Sequence, residues 1–507
     1  MGLAVIHSRA CVGVEAPEVT VEVHISNGMP GFTLVGLPET TVKESRDRVR
    51  SAIINSRFEF PAKRITVNLA PADLPKEGGR FDLPIALGIL AASEQIPVTK
   101  LTQQEFIGEL ALSGEIRRVK GVLPAALAAN QVKRRLIVPM ENSGQAALVG
   151  KDWHKSAHSL LEVCADLCGQ QALSLHASSD KRQVVSSQRD LQDIIGQQQG
   201  KRALEIAAAG NHNLLFLGPP GTGKTMLASR LCDLLPEMSD AEALETASVA
   251  SLTQQEININ NWKTRPFRSP HHSSSMAALV GGGSIPRPGE ISLAHNGLLF
   301  LDEMPEFERK VLDSLREPLE SGEIIISRAQ GKTRFPARFQ LVGALNPSPT
   351  GYYEGNQSRV NPQTILRYLG RLSGPLLDRF DMSLEIPSLP KGTLAEGGER
   401  GESTEVVRQR VYVAREKMLS RASKVNALLG SREIERYCPL HKQDAEFLES
   451  ALHRLGLSVR AYHRIIKVAR TIADLEHSAD IEKHHLAEAL GYRAMDRLLR
   501  QLTAQAV

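Results

Sequence analysis

Short apolar runs of two kinds organise the first 175 residues of the chain. Residues 19–25 (Val-Thr-Val-Glu-Val-His-Ile) alternate apolar and polar side chains, which predicts a β-strand with one buried face. Residues 64–69 and 136–139 predict two further strands, whereas residues 41–55 and 85–92 have the apolar spacing of helices. We therefore expect an α/β domain over residues 1–175.

The central and C-terminal parts of the chain have different patterns. The apolar runs within residues 214–217, 296–303 and 340–347 are short enough for buried strands, and each ends in glycine or in a polar side chain. Helical spacing follows in residues 404–419, 444–455, 459–476 and 481–502, with Asp480 as the expected N-cap of the last helix. Polar residues 176–188 and 391–404 are expected linkers. The predicted fold is α/β, with a parallel-sheet core between helices over residues 189–390 and a helical lid over residues 404–507.

Length, charge and cysteine content narrow the class of protein. A chain of 507 residues exceeds a single hydrophobic core, and about three domains are expected. The net charge of +4 is mild, so contact with nucleic acid would have to be local. We find no apolar run near the roughly 18 residues of a membrane span and no signal-peptide pattern at the N-terminus. The five cysteines form no metal or disulfide pattern, and these features together predict a cytoplasmic protein with reduced thiols.

The strongest chemical motif is Gly-Pro-Pro-Gly-Thr-Gly-Lys-Thr at residues 218–225, which fits the P-loop pattern G-x-x-x-x-G-K-[ST]. A predicted strand precedes it and residues 226–231 have helical spacing, so backbone N–H groups can surround phosphates at a helix N-terminus. Lys224 would reach the β- and γ-phosphates of ATP, and Thr225 would ligate Mg²⁺. The expected ATP-binding residues of this segment are Gly218, Pro219, Pro220, Gly221, Thr222, Gly223, Lys224, Thr225 and Met226.

Two acidic residues complete the expected hydrolytic chemistry. Asp302 and Glu303 follow the apolar run 298–301, and ligands of open α/β sheets bind at the carboxyl ends of strands. Asp302 would hold Mg²⁺, mostly through water, and Glu303 would orient and deprotonate the attacking water. Asn346 ends the next predicted strand and either acts at the same edge or caps that strand.

Two inserted segments lie between these motifs. Residues 323–335 predict a β-hairpin whose tip carries three cations, Arg328, Lys332 and Arg334, and no aromatic side chain. Repeated around a ring, such a tip would contact the phosphates of a nucleic-acid backbone without sequence preference. The other segment, residues 265–283, contains His271 and His272, for which we expect a folding role or a substrate contact because no further metal ligands are spaced around them.

The runs at residues 35–39, 68–75 and 288–297, together with the order of motifs, resemble the magnesium-chelatase-like family of AAA+ ATPases. The resemblance implies that Ile195 lines the adenine pocket, that Asn346 is sensor 1, and that Arg460 is sensor 2. It implies that Arg379 is an arginine finger acting on a neighbouring subunit, although a local salt bridge with Asp378 or Asp381 is the alternative. The two inserted segments would be the helix-2 insert and the pre-sensor-1 hairpin, both directed into a pore.

The same resemblance implies a function and its partners. It implies a hexameric, DNA-stimulated ATPase that uses ATP and Mg²⁺ and drives branch migration of single-stranded or branched DNA, aiding integration of transforming DNA. A chelatase-type or remodelling motor acting on a protein partner is the alternative. Remodelling rings usually carry an aromatic–apolar pair in the pore loop, and this hairpin tip carries Lys and Arg instead.

A second resemblance concerns the N-terminal region. Residues 75–79 and 114–142 are similar to the proteolytic domain of Lon proteases, whose chemistry depends on a serine and a lysine. Arg80 stands at the serine position, and Leu123 and Ala125 stand at the two lysine positions. None of these side chains can act as nucleophile or base, so we expect a Lon-like domain without protease activity.

Overall fold

The structure, a computed structural model, describes residues 2–36, 44–150, 153–175, 189–253, 261–283, 286–328, 331–351, 361–390 and 401–506. The expected linker 176–188 and most of the linker 391–404 lie outside these ranges. The described part has two large sheets with helices around them, three two-stranded sheets and a helical C-terminal region, which confirms the predicted α/β fold class.

A seven-stranded sheet forms the N-terminal region, in the order β3-β4-β2-β1-β5-β8-β9. Strand β2 pairs antiparallel with β1 and β4, and the other neighbours are parallel.

Helix α2 (Asp82–Ala92) packs on β1 and β2 with every residue buried, and it begins three residues before the predicted start. The predicted strands 19–25, 64–69 and 136–139 are confirmed, and the predicted helix 41–55 is described from residue 45 onward. The strands are β1 Gly2–Arg9, β2 Glu18–Ser26, β3 Gly31–Val35, β4 Arg64–Ala70, β5 Gln104–Phe106, β6 Glu109–Leu110, β7 Ile116–Arg117, β8 Arg135–Pro139 and β9 Lys155–Ala157. The helices are α1 Ser45–Asn55, α2 Asp82–Ala92, α3 Val122–Gln131, α4 Ser143–Ala147 and α5 Leu160–Leu167.

A five-stranded, entirely parallel sheet forms the centre of the molecule, in the order β11-β14-β17-β10-β18. Each residue of β10, β14 and β17 is buried, as expected for strands covered on both faces. The strands of this region are β10 Leu214–Leu217, β11 Phe267–Arg268, β12 Gly281–Gly282, β13 Arg287–Pro288, β14 Leu298–Leu301, β15 Glu323–Arg328, β16 Gly331–Pro336, β17 Gln340–Leu345 and β18 Met382–Glu385. The helices are α6 Gln198–Gly210, α7 Lys224–Leu234, α8 Asp240–Ser251, α9 Met276–Val280, α10 Glu290–Leu293, α11 Arg309–Asp313, α12 Arg316–Ser321, α13 Pro362–Leu369 and α14 Gly374–Leu377.

Six helices form the C-terminal region. The prediction for the last part of this region is wrong. The predicted helix 481–502 is two helices, because the chain leaves the helical path at Tyr492 and Arg493. The Tyr492 carbonyl accepts a hydrogen bond from the backbone N–H of Ser383 (2.7 Å), and Arg493 forms a β-bridge with the same residue on β18. The N-cap of the first half is Glu482 and not Asp480. The helices are α15 Thr404–Ala422, α16 Ser431–Tyr437, α17 Lys442–Leu455, α18 Val459–Leu475, α19 Lys483–Gly491 and α20 Ala494–Ala506.

The break directs the last helix back onto the central sheet. Met495, Leu498 and Leu502 of α20 are buried in the same apolar cluster as the hairpin β15–β16, on one face of the sheet. Helices α15 and α18 instead join the apolar cluster of α6 and α7 on the opposite face. The C-terminal region is therefore anchored to both faces of the sheet.

Two findings bear on the expected class of protein. Within the described ranges, no helix is both long and apolar enough to cross a membrane. All five cysteines are free thiols, and burial raises the pKa of Cys164 and Cys232 to about 12. The thiols of Cys164 and Cys232 are therefore protonated at neutral pH and serve as packing groups.

A buried ionic cluster holds the C-terminal helices together. The Asp474 side chain on α18 is 2% exposed and accepts hydrogen bonds from Arg421 (2.7 and 2.8 Å) and Asn426 (2.9 Å). Arg470, which is also buried, lies 3.0 Å from the same carboxylate. One carboxylate therefore balances two guanidinium groups, which would otherwise be desolvated without a counter-charge.

We expect Asp474→Asn to lower the free energy of unfolding of the C-terminal helices by about 3 kcal/mol, because it removes the carboxylate partner of the buried Arg470 and the half-buried Arg421. Chemical denaturation followed by circular dichroism measures this change. The exposed Glu446→Gln on α17 is the matched control and should change stability by less than about 0.5 kcal/mol. Equal effects of the two substitutions would show that the cluster does not stabilise the fold.

Candidate active site

Three neighbouring strands of the central sheet end at one edge. Strand β17 lies between β10 and β14, with Leu217 opposite Leu345 and Leu301 opposite Gly343. Because the strands are parallel, the residues that follow them emerge side by side. The P-loop, the Asp302–Glu303 pair and Asn346 are therefore brought together, as the sequence predicts.

Lys224 is held by the loop that it belongs to. Its side chain is 7% exposed, and its Nζ donates hydrogen bonds to the carbonyls of Gly218 (2.7 Å) and Pro219 (2.8 Å) and to Oδ1 of Asn346 (3.1 Å). Burial lowers the pKa of Lys224, while Asp302 and Glu303 act in the opposite direction. The ammonium group is thus a desolvated cation at the centre of the site, where its attraction for an anion is strong.

The glycines of the P-loop are required by its backbone. Gly221 and Gly223 have φ of 79° and 89°, a region that side chains other than glycine rarely adopt. At Gly218 a Cβ atom would lie 2.3 Å from the carbonyl oxygen of Ile386, so the chain can approach only without a side chain. The loop accordingly keeps a backbone that can face phosphate oxygens, which is the geometry expected of a P-loop.

The segment around Ile195 lies against this loop. Gln197, two residues later, donates hydrogen bonds from Nε2 to the carbonyls of Thr222 (3.3 Å) and Pro387 (2.9 Å). Ile195 is partly buried, and Met226 at the start of α7 is exposed. The segment that contains the predicted adenine-side residue is thus hydrogen-bonded to the predicted phosphate-binding loop through Gln197.

Thr225 and Asp302 offer oxygen ligands at one point. Oγ1 of Thr225 donates a 2.6 Å hydrogen bond to Oδ2 of Asp302. A hydroxyl and a carboxylate are the hard ligands that Mg²⁺ prefers, and Mg²⁺ in phosphate sites commonly takes one or two protein groups with substrate oxygens and water. The residues present therefore fit the ion.

Glu303 has a strained backbone beside these ligands. Its φ of 49° and ψ of 45° are left-handed, and its N–H donates a 2.9 Å hydrogen bond to Oδ1 of Asp302. Strain of this kind is typically retained at functional sites. About half of the Glu303 side chain is exposed, and Oε2 lies 3.2 Å from Nδ1 of His272.

The contact of His272 with Glu303 is the feature of the site that sequence reasoning missed, since the sequence indicated only a folding role or a substrate contact for this histidine. Its ring lies 4.1 Å from that of His271 and edge-on to Phe307 at 6.4 Å, which fixes it over the catalytic edge. No spacing in the sequence connects residue 272 with residue 303, so only the fold reveals the contact. Within the described ranges, the group of potential metal ligands is Glu476, His484 and His485, which does not include this histidine pair.

Arg379 lies at the opposite edge of the sheet. It precedes β18, and its carbonyl accepts a 2.9 Å hydrogen bond from Nδ2 of Asn213, which directly precedes β10. Since β10 and β18 are parallel and paired from Leu214 and Met382, the four residues of β10 separate Arg379 from the P-loop by about 13 Å.

The surroundings of Arg379 differ from the predicted local pairs. Its guanidinium pairs with Glu320 on α12, whereas Asp378 pairs with Arg460 (3.2 Å) and Arg464 (3.5 Å). Burial, together with Arg464, Arg460 and Arg316, lowers the pKa of Arg379. The predicted alternative of a salt bridge with Asp378 or Asp381 is therefore wrong, because both carboxylates have other partners; that of Asp381 is His212.

Arg460 belongs to the Arg379 group and not to the P-loop. Its side chain is 72% exposed at the start of α18 and contacts Asp378. The predicted catalytic residues thus fall into two groups at opposite edges of the sheet. One group contains Lys224, Thr225, Asp302, Glu303 and Asn346, and the other contains Arg379 and Arg460.

The predicted basic hairpin is confirmed as β15 and β16. Ile324, Ile326 and Phe335 are buried on one face, while Lys332 and Arg334 are exposed on the other. The side chain of Arg328 lies outside the described part of the structure. The alternation along the strands therefore presents two cations to solvent from a hairpin anchored in the core.

Three family descriptions cover most of the chain. "Subunit ChlI of Mg-chelatase" matches residues 21–142, "Magnesium chelatase, subunit ChlI" matches residues 190–394, and "Magnesium chelatase, subunit ChlI C-terminal" matches residues 401–493.

Curated relatives extend this match to the full length. The chain is 65% identical over 507 residues to the competence protein ComM of Haemophilus influenzae, covering 99% of this chain and 100% of that protein. It is 58% identical over 502 residues to the uncharacterized protein YifB of Salmonella typhimurium, covering 99% of each chain. The magnesium-chelatase 38 kDa subunit of Rhodobacter capsulatus is 32% identical over 217 residues, which is 38% of this chain and 55% of that protein.

The P-loop edge, the parallel sheet and these full-length matches agree. The chain belongs to the magnesium-chelatase-type AAA+ family, within the group that contains ComM and YifB.

Proposed function

We propose that the protein is a ring-forming ATP hydrolase that couples turnover to movement on DNA and drives branch migration during integration of transforming single-stranded DNA. The observation that carries the proposal is the division of the catalytic residues between opposite edges of one sheet. One chain has a complete nucleotide-binding edge, and its arginine finger faces away from it. A second copy of the chain would supply the missing group.

Hydrolysis begins with binding of ATP at the P-loop edge. Ile195 borders the base, the loop glycines surround the phosphates, and Lys224 exchanges its carbonyl partners for phosphate oxygens. Thr225 and Asp302 would hold Mg²⁺, whose contribution would be to neutralise phosphate charge. Glu303 accepts a proton from the attacking water, and Asn346 orients that water.

Assembly follows from the position of Arg379. About 13 Å of strand separates the backbone of Arg379 from its own P-loop, so we infer that its guanidinium serves the site of a neighbouring subunit. There it neutralises charge that develops on the γ-phosphate, and Arg460, in the same group, senses loss of that phosphate at the same interface. Repetition of such a head-to-tail contact closes into a ring, for which a hexamer is our proposal.

Three units would share the work. Residues 189–390 form the motor, residues 404–507 form the lid that moves with the nucleotide state, and residues 1–175 form a Lon-like unit. Arg80, Leu123 and Ala125 at the dyad positions give this unit no protease chemistry. We propose that the ring acts in the cytoplasm.

DNA is the proposed substrate because of the hairpin and the relatives. Exposed Lys332 and Arg334, with Arg328 nearby in sequence, would line a central channel and follow the phosphate backbone of single-stranded or branched DNA. One full-length relative is named a competence protein. A motor acting on a protein partner is the competing outcome, and DNA stimulation of turnover separates the two.

Two substitutions test the hydrolytic assignment. We expect Lys224→Ala to abolish ATP binding, since it removes the buried cation, and Glu303→Gln to retain binding but lower turnover by at least about 100-fold. A fluorescent ATP analogue measures binding, and phosphate release measures turnover. The exposed Glu308→Gln, five residues from Glu303, is the control and should hydrolyse at the parent rate. Normal turnover by Glu303→Gln would remove that residue from the role of base.

Mixing inactive subunits tests the shared site. Arg379→Ala should bind ATP and assemble but lose about 1,000-fold in turnover, as when other arginine fingers are removed. An equimolar mixture with Lys224→Ala should recover activity, because about a quarter of random interfaces then join an intact P-loop to an intact finger. The absence of recovery, with mixed rings verified by native mass spectrometry, would place the finger elsewhere.

Charge removal at the hairpin tests the substrate. We expect Lys332→Gln with Arg334→Gln to reduce the stimulation of turnover by single-stranded DNA and to weaken its dependence on salt, because fewer phosphate contacts form. Arg432→Gln with Lys442→Gln, two exposed cations of the C-terminal helices, is the matched control. An equal loss of stimulated and unstimulated turnover in the hairpin variant would indicate a structural role instead.

A further inference from the structure

A cavity of about 390 Å³ lies between the N-terminal unit and the central unit. The N-terminal unit contributes the loop of residues 77–80 and residues 118–120, and the central unit contributes Leu252, after α8, and residues 286–288, which include β13. The two units are joined beside it by a 3.0 Å hydrogen bond from the Gly121 N–H to the Ser251 carbonyl. A volume of this size accommodates a small molecule and not a nucleic acid duplex.

Arg80 lines this cavity and is unusual for a buried cation. Its side chain is 5% exposed, and neither Nε nor Nη2 has a hydrogen-bond partner among the described residues. These two nitrogens therefore have no carboxylate partner among the described residues. Burial of an unpaired guanidinium is costly, so the arrangement favours an anion that the chain itself does not supply.

The other charged side chains that line the cavity also favour an anionic ligand. Among the described residues that line the cavity, Arg118, Lys120 and Arg287 add three cations to Arg80, and Glu77 and Glu109 are the carboxylates. The balance is positive by two charges, which favours a dianionic phosphate over a monoanionic carboxylate. A guanidinium with several fixed N–H groups is also well suited to phosphate oxygens.

We propose that this cavity binds the phosphate group of a small molecule, with Arg80 as its central ligand. Arg80 stands at the position of the serine in the Lon proteases that this unit resembles. The site would therefore bind a ligand and not cleave a bond. Since Arg287 lies on β13 of the central unit and Arg80 lies in the N-terminal unit, the ligand would contact both units. It is therefore a second anion site, separate from the P-loop, that links the N-terminal unit to the motor.

The experiment measures binding of pyrophosphate and of inorganic phosphate to the full chain by isothermal titration calorimetry. The parent for this test is Lys224→Ala, which removes phosphate binding at the P-loop, so turnover plays no part in the readout. We expect one remaining site per chain, and Arg80→Gln in that background should weaken it at least about tenfold, the equivalent of one charge-assisted hydrogen bond. Arg64→Gln, an exposed cation on β4 outside the cavity, is the matched control and should leave binding unchanged.

A second variant covers the case in which Arg80→Gln does not fold. Lys120→Gln with Arg287→Gln changes two exposed side chains, one from each side of the cavity, and should also weaken binding by about tenfold or more. Free phosphate and the phosphate of a mononucleotide are distinguished by repeating the titration with adenosine monophosphate, which binds more tightly if a nucleotide is the source.

Three outcomes would overturn the proposal. The first is the absence of phosphate binding in the Lys224→Ala background, and the second is binding that neither cavity variant weakens. The third is loss of single-stranded DNA binding in the cavity variants without any binding of pyrophosphate, which would assign the cations to nucleic acid. None of these results depends on whether the protein hydrolyses ATP or moves on DNA.

Discussion

The common direction of the five central strands is the constraint on which the rest of the structure depends. Parallel strands place all of their carboxyl ends at one edge, so Lys224, Asp302 and Asn346 meet although they lie far apart in sequence. The same direction places Arg379, which precedes a strand, at the other edge. The sheet topology therefore separates the predicted catalytic residues of one chain into two groups, at the two ends of the central strands.

Two residues at the candidate active edge, Lys224 and Glu303, are in energetically unfavourable states. Lys224 is a desolvated ammonium whose partners are backbone carbonyls and one amide oxygen, and Glu303 has a left-handed backbone without being glycine. Phosphate oxygens would give the Lys224 ammonium group stronger partners. The backbone conformation of Glu303 places its carboxylate beside His272. Buried clusters such as that around Asp474 supply stability at a distance from the chemistry.

The N-terminal unit and the C-terminal region both pack against the central unit. Helix α20 returns to the sheet after the break at Tyr492, and the hairpin β15–β16 packs in the same apolar cluster. Thr333 of that hairpin is so close to Gly13 of the N-terminal unit that a Cβ there would lie 2.6 Å from its methyl group. The cavity lined by Arg80 and Arg287 lies at this same junction. Displacement of one unit therefore has to move the others, because closely packed interfaces do not deform freely.

Local patterns were enough to predict the elements that carry the chemistry. The P-loop glycines, the four-residue buried strands and the acidic pair after residue 301 are encoded over a few neighbouring residues, and the structure has all of these elements where the sequence indicates them. The contact of His272 with Glu303, the pairing of Arg379 with Glu320, the break at Tyr492 and the unpaired Arg80 had no such signal. Each depends on which segments the fold brings together across tens to hundreds of residues. Sequence thus determined which side chains are candidates for the chemistry, and tertiary structure decided their neighbours, because periodicity and turn chemistry are local whereas sheet order and packing are not.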